Sequence, residues 1–578
     1  MKQDVREDMR QIALDILEEF DDFYSRFCAI PERAKSAFER MVPAESLALS
    51  RLRLGLYSQS IKELAGKLKS ASPGISQDGT QWSIIEPLYY AEISERYEED
   101  LAVAYIHSLR RIIFDDQHWE PVDYHYRTQS QSTDWLKRAS DIVHIFPGDK
   151  LVTSELVKQI MQVPGFSTHF RLLDVDAERA ANRINQSFGF GADGPLFQAI
   201  KIIKVGFYRN RGAYIMGSIL TADGEHTPLV FSLENSSDGI FIDAVLNREA
   251  DAHNIFSSTL ANFHVTNERY HEIAALLHEI MPGRALGLHY STIGYNHLGK
   301  VAVMEELGQE IASSGERFST AIGFRGSVAI GFSTPGSAYV LKVIRDKPAS
   351  HYKWDEYPGG KEVLKKYSRV HEINRTGSML DNIIYQRVPL DPSWFDTVLL
   401  EELTSVAANS VTLNAGKLEF SHLIVQSKMI PMPVYLKTAT QEEAETAIIN
   451  LGHCIKNNAA ANIFNRDLDA RNYGVNHYGK IFLFDYDAVE RLTDVKIRTN
   501  LDREDGEDEI PDWFFEEGVI FLPEEIEVGL GIEDRNLRHV LRQAHPDLLT
   551  TGYWLGMQHA LNKGWVPRVT VYPAKACI

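Results

Sequence analysis

The chain has 578 residues, of which 44% are hydrophobic and 24% charged, and its 60 basic and 80 acidic residues give a formal net charge of -20. This length predicts two or three globular domains, and the acidic balance argues against a nucleic-acid binder, because binding to phosphate backbones depends on Lys and Arg. Cys28, Cys454 and Cys577 are too widely spaced for a disulfide framework or a zinc site. The sequence contains neither an apolar leader nor a run of about 18 apolar residues, so we expect a cytoplasmic protein.

The first third of the chain has the apolar periodicity of amphipathic helices. Apolar residues recur at steps of three and four in two stripes: Met9, Ile12, Ile16, Phe20, Phe23 and Phe27, then Tyr105, Leu109, Ile112 and Ile113. Between them, Ala71–Thr80 is a turn-rich break. Such stripes are usually core, and no chemistry is predicted before Pro147.

From about Phe197 the pattern changes to short apolar runs separated by Gly, Asp and Asn, which predicts a small antiparallel sheet. The predicted strands are Ala199–Tyr208, Ala213–Leu220, Pro228–Leu233 and Ile240–Val245, and a helix is predicted over Arg269–Ile280. The turn that contains Arg209, Asn210 and Arg211 could bind an anion, although a solvated turn is the favoured interpretation.

Two partial motifs are set aside. Gly294–Lys300 has the spacing of a phosphate-binding P-loop, but Val301 occupies the position at which Ser or Thr would bind Mg2+. His371–Glu372 begins like a zinc-protease helix, but Arg375 stands where the second His is needed.

A phosphate-binding arrangement is predicted further along the chain. The glycine-containing turn Ala321–Ser327 is followed by the predicted strands Val328–Phe332 and Tyr339–Ile344, and Lys342 lies in the middle of the second strand. Backbone amides of such a turn can approach phosphates, and a lysine on a rigid strand supplies a point charge. A plain hairpin with a snorkelling lysine is the alternative.

A hinge is predicted between this region and the rest of the chain. Strands Leu423–Val425 and Val434–Leu436 flank the extended segment Lys428–Pro433, whose backbone groups could pair with an adenine edge. The next segment, Thr440–Asn457, has the spacing of a helix.

The pattern most informative about function is Asn465–Asp487, in which Asp467 is followed by Asn472 and, after a predicted hairpin, by Asp485. This order fits the kinase catalytic loop, in which one carboxylate orients the acceptor hydroxyl while an amide and a second carboxylate bind Mg2+. The hairpin, Tyr473–Val475 and Lys480–Phe484, would bring Asp485 back beside the other two side chains. An ordinary Asx-rich turn is the alternative.

Two further carboxylates lie outside this minimal set. Asp487 is predicted to share a strand face with Asp485, and either it or Asp381 could activate water for phosphate hydrolysis. Phe484–Asp487 also resembles the Asp-x-Asp ending of small-molecule kinases of the aminoglycoside phosphotransferase type.

Several motifs together resemble the bacterial isocitrate dehydrogenase kinase/phosphatase family, whose members phosphorylate and dephosphorylate a serine of isocitrate dehydrogenase. The resemblance covers most of the chain, and its motifs are Ile12–Phe20, Phe207–Arg211, Asp238–Asp243, Glu279–Gly283, Ala459–Phe464 and Phe484–Asp487.

The resemblance implies an α+β architecture: an N-terminal, mainly α-helical regulatory domain with a small sheet (1–310), in which AMP binds allosterically, followed by a bilobal protein-kinase-like domain (311–578) that divides near residue 430. It also assigns Lys342 to ATP and Asp381 to the active site. The implied ATP-binding loop consists of Ala321, Ile322, Gly323, Phe324, Arg325, Gly326 and Ser327.

This sequence departs from the family pattern at three places. Ile322 and Phe324 alter the glycine loop, Arg471 replaces a lysine before Asn472, and the segment around Leu501–Phe521 is divergent and very acidic.

We therefore expect a bifunctional kinase and phosphatase that uses ATP and Mg2+ or Mn2+. Lys342 would hold phosphates, Asp467 would orient the serine hydroxyl, Asn472 and Asp485 would bind the metal, and Asp381 and Asp487 would serve hydrolysis. Isocitrate dehydrogenase would be the protein substrate, at the branch between the tricarboxylic acid cycle and the glyoxylate bypass. The sequence leaves open a homodimer, a kinase for another protein or small molecule, and a non-catalytic nucleotide sensor.

Overall fold

The computed structural model describes residues 2–76, 79–114, 132–256, 263–323, 326–350, 352, 357, 359–372, 378–501 and 512–578. The chain divides into two compact units. The first comprises Met1–Ala252, Asn262–Glu306 and Ala576–Ile578, and the second comprises His253–Ala261 and Leu307–Lys575. Helices α8 and α11, bounded below, each contain residues of both units.

The first unit is rich in helices. Their bounds are α1 Lys2–Glu39, α2 Pro43–Ala71, α3 Trp82–Ile93, α4 Glu99–Ile113, α5 Ser132–Arg138, α6 Ser154–Gln162, α7 Leu173–Phe188, α8 Glu249–Phe256, α9 Tyr270–Ile280, α10 Leu286–Thr292 and α11 Asn296–Ser314. The stripe predicted on the first helix is buried. Phe23 of α1 contacts the rings of Tyr57 on α2 and Tyr105 on α4, at centroid distances of 5.4 and 5.7 Å. The mainly helical N-terminal region is confirmed.

A seven-stranded antiparallel sheet completes this unit, with the order β1-β2-β4-β3-β7 and with β5 between β4 and β6. Its strands are β1 Val143–Pro147, β2 Phe197–Ile203, β3 Phe207–Arg209, β4 Gly212–Thr221, β5 His226–Ser236, β6 Gly239–Leu246 and β7 His264–Val265. The single strand predicted over Ala199–Tyr208 is wrong, because the chain leaves β2 at Ile203 and returns as β3. Both pair with β4, at different positions along it.

Arg209 does not belong to a solvated turn. It is buried at the end of β3, and its guanidinium lies 4.2 Å from the ring centroid of Phe263. The neighbouring Asn210 supplies the positive φ of 55° that the turn needs. The favoured interpretation of this turn is therefore wrong for Arg209, whose charge stacks on an aromatic face instead.

The second unit begins with a six-stranded sheet of order β11-β13-β10-β9-β8, in which β12 also pairs with β13. Its strands are β8 Ser319–Thr320, β9 Ala329–Ser333, β10 Tyr339–Ile344, β11 Asn382–Leu390, β12 Val411–Asn414 and β13 Lys417–Ser427. Two helices accompany it, α12 Gly360–Glu372 and α13 Thr397–Val406. This is the smaller, sheet-based lobe.

The larger lobe is built around a buried helix. Its helices are α14 Met432–Tyr435, α15 Gln441–Ala460, α16 Ile526–Gly529, α17 Arg535–Ala544 and α18 Thr551–Asn562. Its short strands are β14 Ile430–Pro431, β15 Phe464–Asn465, β16 Tyr473–Val475, β17 Ile481–Leu483, β18 Val489–Glu490, β19 Lys496–Ile497 and β20 Ile520–Phe521. Thr440 and Glu443 form a capping box that starts α15, and Leu451 and Ile455 of this helix belong to the apolar core. The predicted α+β class with a bilobal second half is confirmed.

The hinge differs from the prediction in one respect. Val434–Leu436 does not form a strand, since Met432–Tyr435 is a helical turn that follows β14 directly. Pro433 explains the difference, because its fixed φ and missing N–H suit the start of a helix. The extended part is therefore shorter than predicted and ends at Pro431.

Within the described part of the chain, no helix combines the length and apolarity needed to cross a bilayer. No disulfide bond joins Cys28, Cys454 and Cys577.

Candidate active site

An open cleft lies within the second unit. Residues from β9, β10, the hinge and the Asp467 loop line it. The site residues that face it are Ala321, Ile322, Gly326, Ser327, Lys342, Asp467, Asn472, Asp485 and Asp487. Side chains separated by up to 166 positions in the sequence therefore share one cavity.

The sheet positions Lys342 at the centre of this cavity. The residue lies on β10 and pairs with Gly331 of β9 and Ile424 of β13. Its Nζ donates to the carbonyl oxygen of Phe484 at 3.0 Å and lies 5.0 Å from the Phe484 ring centroid. Burial lowers the pKa of Lys342, and the charges of Asp485 and Asp487 oppose that shift. An ammonium ion is thus held beside the carboxylates.

Gly323 of the glycine turn lies against Pro431 of the hinge, and it is not itself among the residues that line the cleft. Gly323 has a φ of +127°, and a Cβ at this position would lie 2.8 Å from Cγ of Pro431. Only glycine tolerates both the backbone conformation and the close approach. The backbone N–H of Ala321 donates to the carbonyl of Gly331 at 2.9 Å, which anchors the start of the turn to β9. Phe324 and Arg325, also predicted to bind ATP, lie outside the described residues.

Asp467 and Asn472 form a hydrogen-bonded pair. Nδ2 of Asn472 donates to the backbone oxygen of Asp467 at 2.8 Å and to its Oδ2 at 3.1 Å. Asn465 accepts from the backbone N–H of Asp467 at 3.1 Å, and the backbone of Asn472 bonds to that of Phe484. Because the Asn472 amide nitrogen is used in this way, its oxygen stays available as a ligand. One carboxylate is therefore oriented by the same amide that can bind a metal.

The hairpin prediction is confirmed in outline, since β16 pairs with β17 and a positive φ of 78° occurs at Gly479. The strand, however, ends at Leu483. Asp485 and Asp487 follow it in irregular backbone, so the prediction that they share a strand face is wrong. Both nevertheless line the cleft.

Helix α12 supports these two aspartates. Oη of Tyr367 donates to Oδ1 of Asp485 at 3.4 Å, and Nζ of Lys366 donates to the backbone oxygen of Asp487 at 2.6 Å. Burial raises the pKa of Asp487 to about 7, and the nearby charges of Asp485 and Asp467 add to the shift. The Tyr367 phenol thus contacts the first aspartate, and burial makes the second hold its proton more tightly than an ordinary aspartate does.

Asp381 is not among the residues that line the cleft, whereas its neighbour Leu380 lines it. The segment is fixed, because the Leu380 N–H donates to the Leu483 carbonyl at 2.8 Å and Tyr486 donates to the Leu380 carbonyl. The charge of Asp381 contributes to raising the pKa of Tyr486. Its role in the active site therefore stays a prediction.

The oxygen ligands present suit a hard divalent cation. Asp485 supplies a carboxylate and Asn472 an amide oxygen, which are the ligand types that Mg2+ takes alongside substrate phosphates. No cluster of three or more His, Cys, Asp or Glu suited to a metal occurs among the described residues. A metal here would accordingly depend on the nucleotide to complete its coordination.

Sequence reasoning missed several polar residues of the cleft. Tyr367 and Gln426 line it, as does the ion pair of Arg345 and Glu402, whose atoms are 2.7 Å apart. None belongs to a spaced motif. Among these residues, only Gln426 could have been identified from the sequence, because it is a polar residue at the end of the apolar run Leu423–Val425.

Two family models match the chain almost end to end. The regulatory domain of isocitrate dehydrogenase kinase/phosphatase (AceK) matches residues 13–315, and the kinase domain matches residues 316–574. An isocitrate dehydrogenase kinase/phosphatase of Rhodopseudomonas palustris (strain HaA2) is 46% identical, with 97% of this chain and 92% of the relative covered. One from Anaeromyxobacter sp. (strain Fw109-5) is 28% identical, with 96% of each covered.

Proposed function

Because this chain belongs to the isocitrate dehydrogenase kinase/phosphatase family, we propose that it transfers phosphate from ATP to a serine of isocitrate dehydrogenase and removes it again at the same site. The observation that carries this proposal is the single cleft shared by Lys342, Asp467, Asn472, Asp485 and Asp487. Phosphoryl transfer depends mainly on positioning and on neutralising charge, and this cleft contains the groups for both.

ATP would lie with its phosphates against Lys342 and the turn around Gly323. The lysine ammonium supplies positive charge, while backbone amides of the turn offer hydrogen bonds. Asp485 and Asn472 would hold Mg2+, which neutralises charge on the phosphates when bound.

In the forward reaction Asp467 accepts or orients the proton of the serine hydroxyl as its oxygen bonds to phosphorus and the bond to ADP breaks. The hydrogen bond from Asn472 holds this carboxylate in place. The chain thus supplies the base and its orientation from a loop of six residues.

In the reverse reaction a water molecule attacks the phosphorus of phosphoserine, and the serine oxygen leaves with a proton. A carboxylate that takes the proton from water is the additional part that hydrolysis requires. We assign this role to Asp487, with Asp381 as the second candidate. The support is that Asp487 faces the cleft beside Asp485 and is not needed by the minimal kinase mechanism.

The test is an assay with purified chain, isocitrate dehydrogenase and radiolabelled ATP, with a Ser→Ala substrate as the control. Label should enter the wild-type substrate and leave it when the phosphorylated protein is reisolated and returned to the enzyme. Labelling of other proteins or small molecules alone would favour a different kinase, and binding of ATP without turnover would favour a nucleotide sensor.

We also infer that AMP binds in the first unit, as the family resemblance implies. Titration calorimetry of AMP against the full chain tests this inference.

The expected setting is the cytoplasm, where isocitrate dehydrogenase and ATP are both present and where the cysteines of this chain would stay reduced. There the enzyme would divide isocitrate between the tricarboxylic acid cycle and the glyoxylate bypass. Light scattering on the same preparation tests whether the chain forms a homodimer.

A further inference from the structure

One polar side chain in the cleft has no part in the reaction described above. Gln426, near the end of β13, is 2% exposed and lines the cleft. Its Nε2 has no hydrogen-bond partner among the described residues. Buried amide groups are nearly always paired, because an unpaired donor loses its water without compensation. An acceptor atom on a bound ligand would satisfy this donor.

The sheet register indicates which part of a nucleotide this side chain would meet. Gln426 pairs with Val340 of β10, two residues before Lys342, and cross-strand partners have side chains on the same face. Met429, three residues beyond Gln426, lines the hinge side of the same cleft. With phosphates at Lys342, the base lies towards Val340 and Met429, beside the Gln426 amide.

The chemistry of the amide selects among bases. A glutamine side chain offers one donor and one acceptor side by side. Adenine presents the matching pair on one edge, an N6 amino donor and an N7 acceptor, whereas guanine presents two acceptors, O6 and N7. We propose that Gln426 is a specificity-determining residue that binds the N6/N7 edge of adenine. This inference rests on the proposed function, since it requires ATP in this cleft.

The sharpest probe is 7-deaza-ATP, in which a C–H group replaces N7 and nothing else changes. Titration calorimetry with Mg2+ compares ATP and 7-deaza-ATP on the wild-type chain, on Gln426→Met and on Gln386→Met. Gln386 is a matched control because it lies on β11 of the same sheet, is exposed, and does not line the cleft. GTP is titrated as a third ligand.

The wild-type chain and the Gln386→Met control should bind 7-deaza-ATP roughly tenfold more weakly than ATP, which is the effect of losing one buried hydrogen bond. In Gln426→Met the two nucleotides should bind alike, and the preference for ATP over GTP should fall. Equal affinity of the wild-type chain for ATP and 7-deaza-ATP overturns the role of Gln426 and leaves the proposed function intact. Absence of ATP binding overturns both. The wild-type comparison needs no variant to fold.

Discussion

Gly323→Ala should weaken ATP binding without unfolding the protein. The structure gives two reasons. The φ of +127° at Gly323 is a conformation that side chains rarely adopt, and the added Cβ would lie 2.8 Å from Cγ of Pro431. An alanine must therefore move the turn away from the hinge, and the turn is the part expected to cover the phosphates of ATP.

The size of the effect follows from the conformational cost. A non-glycine residue forced into such a region costs about 1–3 kcal/mol, and displacement of the Pro431 ring adds to this. If that cost has to be met each time the turn closes on ATP, the dissociation constant should rise by about 5- to 150-fold. Gly323 itself is exposed, so the free energy of unfolding should change little.

Gly416→Ala provides a matched control. Gly416 also has a positive φ, of 75°, but a Cβ there meets nothing within 4 Å, and the residue lies in the turn between β12 and β13. ATP affinity is measured by titration calorimetry and the KM for ATP in the phosphorylation assay, with urea unfolding in parallel. Unchanged ATP affinity in Gly323→Ala, alongside an intact fold, would refute the assignment of this turn to the nucleotide.

Four further variants concern Asp485, Asp487, Asn472 and the buried His422. Asp485→Ala should lower the rates of both phosphorylation and dephosphorylation by about 10³-fold. Asp487→Ala should lower the rate of dephosphorylation about 10²-fold more than that of phosphorylation. Equal losses of the two activities in Asp487→Ala, measured with both forms of the substrate, would contradict the division of roles. Asn472→Asp cannot donate to Asp467, so kcat for phosphorylation should fall about tenfold or more, and a fall confined to KM would argue against the orienting role. Burial lowers the pKa of His422 to about 4. Because this pKa is below the ordinary value near 6.5, the contribution of the neutral imidazole to the free energy of unfolding is complete above pH 6.5 and is lost as the pH falls towards 4. His422→Gln should reduce that loss by roughly 2–3 kcal/mol in urea unfolding, and an unchanged pH dependence would show that this imidazole does not contribute.

The helical stripe of the first unit and the hairpin before Asp485 follow from local patterns. The spacing of Phe20, Phe23 and Phe27 places them on one helix face whatever surrounds them, and Gly479 permits the turn with its positive φ. The order of Lys342 and the Asp467 loop along the chain likewise predicted which side chains would meet. Such features depend on a few neighbouring residues, so the sequence determines them.

Two predictions from local patterns failed, for different reasons. The strand expected at Val434–Leu436 is a helical turn, because Pro433 suits the start of a helix, and the strand before Asp485 and Asp487 ends at Leu483 instead of carrying both on one face. At the second place Tyr486 turns inward and donates to the carbonyl of Leu380, from a different segment of the chain. No periodicity in the sequence predicts that hydrogen bond.

The sequence by itself determined the order of the phosphate-binding groups, the helical first third and the acidic composition, because these depend on residue type and spacing. Only the tertiary structure showed that Lys342 and Asp467 face one cavity, that Tyr367 contacts Asp485 and that the amide of Gln426 lies unpaired beside them. The physical reason is that hydrogen bonds and burial between distant segments depend on how sheets and helices pack, and packing is a property of the whole chain.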